Sequence, residues 1–549
     1  MEIYSAEAPI SFKASDSVVK SKDGRNWLAR LCLGPLRSIQ KTPNLRAAGV
    51  GLFLFLQESQ AVSAGCKTLA QVSPDITFSP GSAVYEYEKR NFWSNTQILN
   101  PGCVYVPTSA HQVSTAIIAM KSVNGSFAVR GGGHTAISGA NSIDGDVLIA
   151  FSNMTQLELS AQRSHVQLGP GLRWGEVYNA LEPYDLTVAG GRVAPVGVLG
   201  LLLAGGIGFY SNKYGFSANT VSSYEVVLVD GRIVNATASN EYSDLFWALK
   251  GGGPNFGLVT SFELQTIPSP RVFAGVLQFE SSQFEAFFQA VAAYSANIFD
   301  AKSHIIPTVG FARDEVADEI SSYAYVVLFY DDPDETNPEI FHWFLDIPSV
   351  GNTLSIQTVA NLAFRDWKSI QSQVPTGTLS STEVYFQPLG RDFIVASQND
   401  GADRGPLALD ESQGTYIVYA IALGWVDSAY DEVISAWIEK TVQEIDSATA
   451  EAGLHHPFRY MGDSAAFQVA DFFSGYPAGA VERLNSIALK YDPDGFFQKN
   501  MPGGFKLSAS KNPSSNDAGE VIGSKSYDAG IFKEGDSSVS GLRGFDAAS

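Results

Sequence analysis

Four glycine-rich stretches lie between residues 130 and 257: RGGGHTAISG (130–139), GPGLRWG (169–175), LLLAGGIGFYSNKYG (201–215) and KGGGPNFG (250–257). One glycine loop is usually only a turn. Four in a segment of alternating strand and helix patterns restrict the fold far more. Glycine lets backbone N–H groups come close to a ligand, and successive amides cradle a pyrophosphate without any lysine. A long dinucleotide running past several loops needs such a cradle. None of the four has the G-x-G-x-x-G spacing, so a nicotinamide-type Rossmann fingerprint is not supported. The HExxH zinc helix, the GKS or GKT phosphate loop and the GxSxG nucleophile elbow are also missing.

The remaining pattern describes an α+β protein of more than one domain. Its 549 residues are 45% hydrophobic and 17% charged, as in soluble globular chains. VYVPTSAHQVSTAIIAMKSVNGSFAVRGGGH reads as a strand, a helix from Ala110, then the strand FAVR that delivers the first glycine loop. DVLIAF, HVQLGPG, SYEVVLVDGRIVNA and GLVTSFELQTI read as strands, with Asp230-Gly231 as a hairpin turn. WGEVYNALEPY and YSDLFWALKGG read as amphipathic helices. TIPSPR at 266–271 marks a boundary. Beyond it, helix-like FEAFFQAVAAYSANIF alternates with strand-like YAYVVLFY, STEVYFQPLG and GTYIVYAIALGW. Residues 507–549 lose hydrophobic periodicity and read as a disordered tail.

Charge excludes one class of partner. The net charge is −21 and no Lys/Arg cluster is present to neutralise phosphates, so nucleic acid is not expected. Residues 1–64 differ, with eight basic against five acidic side chains. That start runs into the uncharged AAGVGLFLFL (47–56), which is too short to span a bilayer. With Arg46 before it and the small residues Val62 and Ala64 after it, 47–64 has the regions of a signal peptide, although an upstream segment, 1–46, precedes it. Secretion, or residence in the secretory pathway, is the expectation. Cys66 and Cys103 then remain, and two cysteines in a secreted chain most simply form one disulfide; two unrelated buried thiols are the alternative. Asn124, Asn153 and Asn235 begin glycosylation triplets.

RGGGHTAISG, GGIGFYSNKYGFSANTV, DLFWALKGGGPNFGLVTSFEL and KYDPDGFFQKNMPGGFK, in that order, resemble the berberine-bridge-enzyme-like group of FAD-linked oxidases, within the vanillyl-alcohol-oxidase fold. The resemblance runs from about Cys66 to Lys506. It implies a PCMH-type FAD-binding domain of two α+β subdomains at 65–270 and an antiparallel-sheet substrate cap at 271–454. A C-terminal segment at 455–506 would return to complete the FAD domain. It further implies that Arg130, Gly131, Gly132, Gly133, His134, Thr135, Ser138 and Gly139 contact FAD, with His134 joined to the flavin 8α-methyl group. Gly205, Gly206, Gly208, Tyr214, Gly215, Asn219, Val221 and Val259 would complete the set. A neutral imidazole is a good nucleophile for that bond, and the attached cation would raise the flavin potential. A second, cysteinyl link is excluded: GGRVAPVGVLG has Val193 at that place, and no cysteine follows Cys103.

Two departures bear on mechanism. FRYMGDSAAF puts Gly462 and Asp463 where related sequences commonly show Asn-Tyr, and Ala150 stands where an acidic residue is common. Asp463 would serve as a base if burial raised its pKa; a solvated surface carboxylate is the alternative. Strand alternation in the cap offers Glu383, Tyr385, Tyr416 and Tyr419 as proton acceptors, and Tyr460 is a further option; each is otherwise an ordinary packing residue. His111, His165, His304, His342 and the pair His455–His456 lack metal-ligand spacing and read as structural or surface residues, so no metal is expected. The resemblance implies an oxidase that takes a small organic molecule, a secondary-metabolite intermediate, as substrate and O2 as acceptor. A carbohydrate oxidase and a flavin-binding scaffold without turnover are the alternatives. Oligomeric state is open.

Overall fold

A computed structural model describes residues 2–6, 62–269, 271–297, 300–314, 319–363, 379–398, 405–425 and 427–507. The signal-like run at 47–56 lies outside these residues, as does 508–549 of the expected tail. Leu507, placed in that tail by sequence, is buried in the core.

The first layer is a four-stranded sheet in the order Thr77–Phe78, Cys103–Tyr105, Val147–Ala150, Phe127–Arg130. Its last two pairings are parallel, so Cys103–Tyr105 must cross over to Phe127–Arg130 through a helix, Ala110–Ser122. Val113, Ala116, Ile117 and Met120 recur at the spacing of one helix face and are all buried. Ser109 caps the helix, its Oγ accepting from the Gln112 amide. The RGGGH loop is thus launched from the edge of a buried, rigid sheet.

The second layer is an antiparallel five-stranded sheet in the order Leu157–Leu159, His165–Leu168, Leu258–Gln265, Val221–Val227, Ile233–Ala236. Its last two strands form the hairpin expected at Asp230-Gly231, where Gly231 adopts φ +83°. Asn124, Asn153 and Asn235 are all exposed.

Eight strands beyond Arg271 and Glu2–Ala6 form a nine-stranded antiparallel sheet among the described residues, and it partitions two cores. Tyr325, Val327 and Phe329 on one face of strand Glu319–Tyr330 join the main core, which runs from Cys66 to Leu507. Their alternates Ala324, Val326 and Leu328 pack under helix Phe284–Ala296 with Phe341 and Phe344. The backbone of Glu2–Ala6 pairs antiparallel with Thr415–Trp425 and with His455–His456. The chain then returns. Phe496 packs on Phe127 with ring centres 5.7 Å apart, and the Phe127 amide donates to Asn500 O at 2.7 Å.

Cys66 and Cys103 are joined, tying helix Ala64–Val72 to strand Cys103–Tyr105 across 37 residues of chain. A loop of that length closes at an entropic advantage of about 4 kcal/mol at most. The Cys66→Ser/Cys103→Ser double variant is therefore expected to lose up to about 4 kcal/mol of stability, read as a lower urea midpoint.

Candidate active site

Two glycines placed back to back begin the site. A Cβ on Gly132 would meet Gly197 N at 2.6 Å, and one on Gly131 would meet Pro170 O at 2.9 Å. Gly133 adopts φ +67°. The chain after FAVR is thus pressed against the segment 190–197, which nothing larger than glycine allows. That segment is itself held rigidly. The Trp174 and Gly175 amides donate to Val196 O and Ala194 O, both at 3.0 Å, the Arg173 guanidinium donates to Pro195 O, and Gly190 and Gly191 lie on the Trp174 ring.

Gly132→Ala is expected to abolish flavin content, read as the ratio of visible to 280 nm absorbance, because backbone faces the new methyl group. Gly200→Ala, whose Cβ meets nothing within 4 Å, is expected to retain it.

His134 follows the turn. Its ring stacks on Trp93 with centres 4.8 Å apart and planes 15° apart, and the Trp93 amide donates to Gly133 O at 2.9 Å. Trp93 itself is 57% exposed, so it shields one face of the imidazole from solvent. Burial, aided by the nearby Arg173 cation, holds the imidazole down at about 4. The ring is therefore neutral at physiological pH. Its Nε2 is buried without a hydrogen-bond partner. A nucleophilic nitrogen kept neutral and unengaged beside a stripped glycine turn fits the attachment point of a flavin. Consecutive left-handed glycines, Gly205 (φ +93°) and Gly206 (φ +84°), supply a second patch of approachable backbone.

A polar cluster lies where three distant segments meet. Tyr385, on strand Leu379–Leu389 of the large sheet, lies beside Asp463, and the two groups influence each other electrostatically. Tyr460 is buried, with its hydroxyl near the backbone of Gly206 and Ile207. Arg192, from the clamped 190–197 segment, donates to Gln387 Oε1 and acts electrostatically on Tyr385, Tyr460 and Asp463. Burial raises the Asp463 carboxyl, and Arg192 and the Tyr385 hydroxyl oppose that rise. Burial, then the Asp463 charge, pushes the Tyr385 phenol far up. Gly462 explains one departure from the related pattern: a Cβ there would come within 3.0 Å of the Tyr460 hydroxyl. The small residue makes room for the phenol of Tyr460.

Glu383 shares the inner face with Tyr385 and Gln387. Its carboxylate accepts from Tyr323 and Tyr325 at 3.4 Å each, and burial raises it. Tyr323 sits two strands away and reaches Glu383 only because the intervening residue is Gly310, whose absent side chain the ring replaces.

Other residues expected in the site have different roles. Arg130 turns back into the four-stranded layer, paired with Glu88 and Ser152. Tyr416 shares the inner face, but its hydroxyl is occupied by Asp410, donating to O at 2.9 Å and accepting from N at 3.2 Å. Tyr419 pairs with Phe386, which packs on helix residue Phe288, so it faces away from Tyr385. Asn219 donates to Ser397 O at 3.1 Å and Gly215 abuts Ser397, so both anchor the cap helix Arg391–Gln398, and Tyr214 lines the cleft beside it. Val221 and Val259 are core residues of the five-stranded sheet. Gly208 closes on Gly190 O, Thr135 accepts from the Ile137 amide, Ser138 is exposed, and Gly139 (φ +78°) meets Gly503. Arg192, Gln387, His304 and Trp93 were not singled out by sequence as site residues. GGRVAPVGVLG contained the one available signal, an arginine beside Val193.

Residues 101–237 match the family described as "FAD binding domain". The FAD-dependent monooxygenase prx3 of Penicillium roqueforti is 33% identical over 484 residues, covering 80% of this chain and 93% of that protein. Among solved structures, Physcomitrella patens BBE-like 1 superposes with a TM-score of 0.62 at 18% identity, over 79% of this chain and 97% of the other. A chitooligosaccharide oxidase superposes with a TM-score of 0.62 at 19% identity, over 81% and 100%.

Proposed function

The chain belongs to the FAD-linked oxidoreductases of the berberine bridge enzyme family, and from that premise we propose that it is an oxidase of a small organic molecule, carrying its flavin on His134. When bound, FAD would supply the acceptor for a substrate hydride, with O2 as the final electron acceptor. Everything else falls to the protein. His134 offers a neutral, partnerless Nε2 as the attachment atom, with Trp93 fixing the plane of the ring. Gly131–Gly133 and Gly205–Gly206 let the backbone approach the cofactor.

Tyr385 and Asp463 handle the proton. Asp463 lies beside Tyr385, so a substrate O–H or N–H proton can pass to the carboxylate directly or through the phenol. The observation that carries the reading is the convergence of Tyr385, Asp463, Tyr460 and Arg192 from the cap sheet, the C-terminal return and the 190–197 segment. The Penicillium relative, named an FAD-dependent monooxygenase, supports a small organic substrate that reacts in an oxygen-dependent enzyme. The basic, signal-like N-terminus supports action in the secretory pathway or outside the cell.

The test is a substrate screen by hydrogen peroxide release, followed by anaerobic mixing of hits with the enzyme. Flavin bleaching without oxygen and rapid recovery in air are expected. Bleaching that recovers only slowly in air would make the protein a dehydrogenase instead.

A further inference from the structure

Arg192 is half-buried at the middle of the proton-handling cluster, and its hydrogen bonding is incomplete. Gln387 Oε1 is the single acceptor its guanidinium reaches among the described residues. No carboxylate among them lies within ion-pair distance. Most of the five N–H donors of its rigid planar fork are thus unused by the described residues. The group cannot retreat, because the backbone on its C-terminal side is pinned at Ala194, Pro195 and Val196.

Asp463 and Glu383 are the carboxyls of the site, and neither pairs with Arg192 among the described residues; burial shifts both toward the neutral form, and the Arg192 charge opposes that rise at Asp463. His304, 1% exposed, feels the Arg192 charge, and neither of its ring nitrogens has a well-formed hydrogen bond. The two buried His304 ring nitrogens left unsatisfied are costly unless a ligand completes them. Phe209, edge-on to His304 at 6.2 Å and stacked on Phe329 at 5.2 Å, makes the rest of this wall apolar.

We propose that the substrate is an organic acid, its carboxylate gripped by the Arg192 fork beside Gln387 and His304, its apolar body against the aromatic wall. This assignment rests on the oxidoreductase reading above and narrows it to a substrate class. The carboxylate is a handle and undergoes no chemistry. Arg192 thereby fixes which C–H of the body lies against the flavin and which O–H or N–H faces Tyr385 and Asp463.

Purified holoprotein is titrated with paired probes: benzoate, cinnamate and decanoate, each against its methyl ester. Perturbation of the visible flavin band and titration calorimetry are recorded together. At least one acid is expected to bind about tenfold or more tightly than its ester, a difference of about 1.4 kcal/mol. Arg192→Ala is expected to erase that preference while retaining bound flavin. Arg192→Lys, a point charge without the fork, is expected to keep only part of it. Equal binding of acid and ester in all three pairs would overturn the proposal, as would an acid preference that survives in a flavin-loaded Arg192→Ala protein. Protein purified without flavin would instead count against the oxidase reading, and calorimetry would still report whether Arg192 selects the acid.

Discussion

Acid-precipitated wild-type protein is expected to carry its flavin into the pellet, and the His134→Ala variant to leave all of its flavin in the supernatant. The expectation follows from three local facts. The imidazole is held neutral, its Nε2 has no other partner, and Trp93 fixes its orientation. The variant should still bind FAD without a bond, because the glycine contacts that form the cradle are backbone features that a change at His134 leaves in place. Its reduction potential should fall, since the attached imidazole cation is gone. Wild-type flavin released by acid would remove His134 from the attachment role while leaving the cradle intact.

Asp463→Asn is expected to slow substrate reduction of the flavin by about 10²- to 10⁴-fold, the range ascribed to one positioned general base. Anaerobic stopped-flow absorbance measures it without interference from oxygen. The pH profile separates a proton-transfer role from a structural one. Burial raises the Asp463 pKa, and an ionised base is required, so the wild-type rate should fall with decreasing pH from a point above the ordinary carboxylate range. The Asn variant should lose that limb. Tyr385→Phe should slow the reaction less and move the limb upward, because the phenol that favours the ionised carboxylate is absent. A variant as fast as wild type at all pH values would pass the role to Glu383.

Much of the fold could be read along the chain. Ala110–Ser122, Phe127–Arg130 and Leu258–Gln265 fall where periodicity and turn residues put them, because each is decided by local alternation and capping. The glycine loops and His134 were legible for the same reason: a positive φ or a backbone contact leaves its mark at its own position. The polar cluster was not. Arg192 and Gln387 are 195 residues apart, and no local pattern links them. Alternation narrowed the cap candidates without saying which face looks inward or which end of a strand lies over the cofactor. Tyr419 therefore shared a candidate set with Tyr385 although the two point to opposite sides of one sheet. Arg130 misled by adjacency, since a side chain beside a ligand loop can turn the other way to meet Glu88.

The short run from Gly190 to Gly197 touches the flavin-attachment turn at one end and presents Arg192 to the cap at its middle. Heritable change in this enzyme is therefore channelled. A change to the backbone path here that suits a new substrate also disturbs the seat of the cofactor, so new specificities should arise on the opposing cap strand, around Glu383 and Gln387. Laboratory libraries aimed at altered substrates should be built there, with 190–197 held fixed as common chassis.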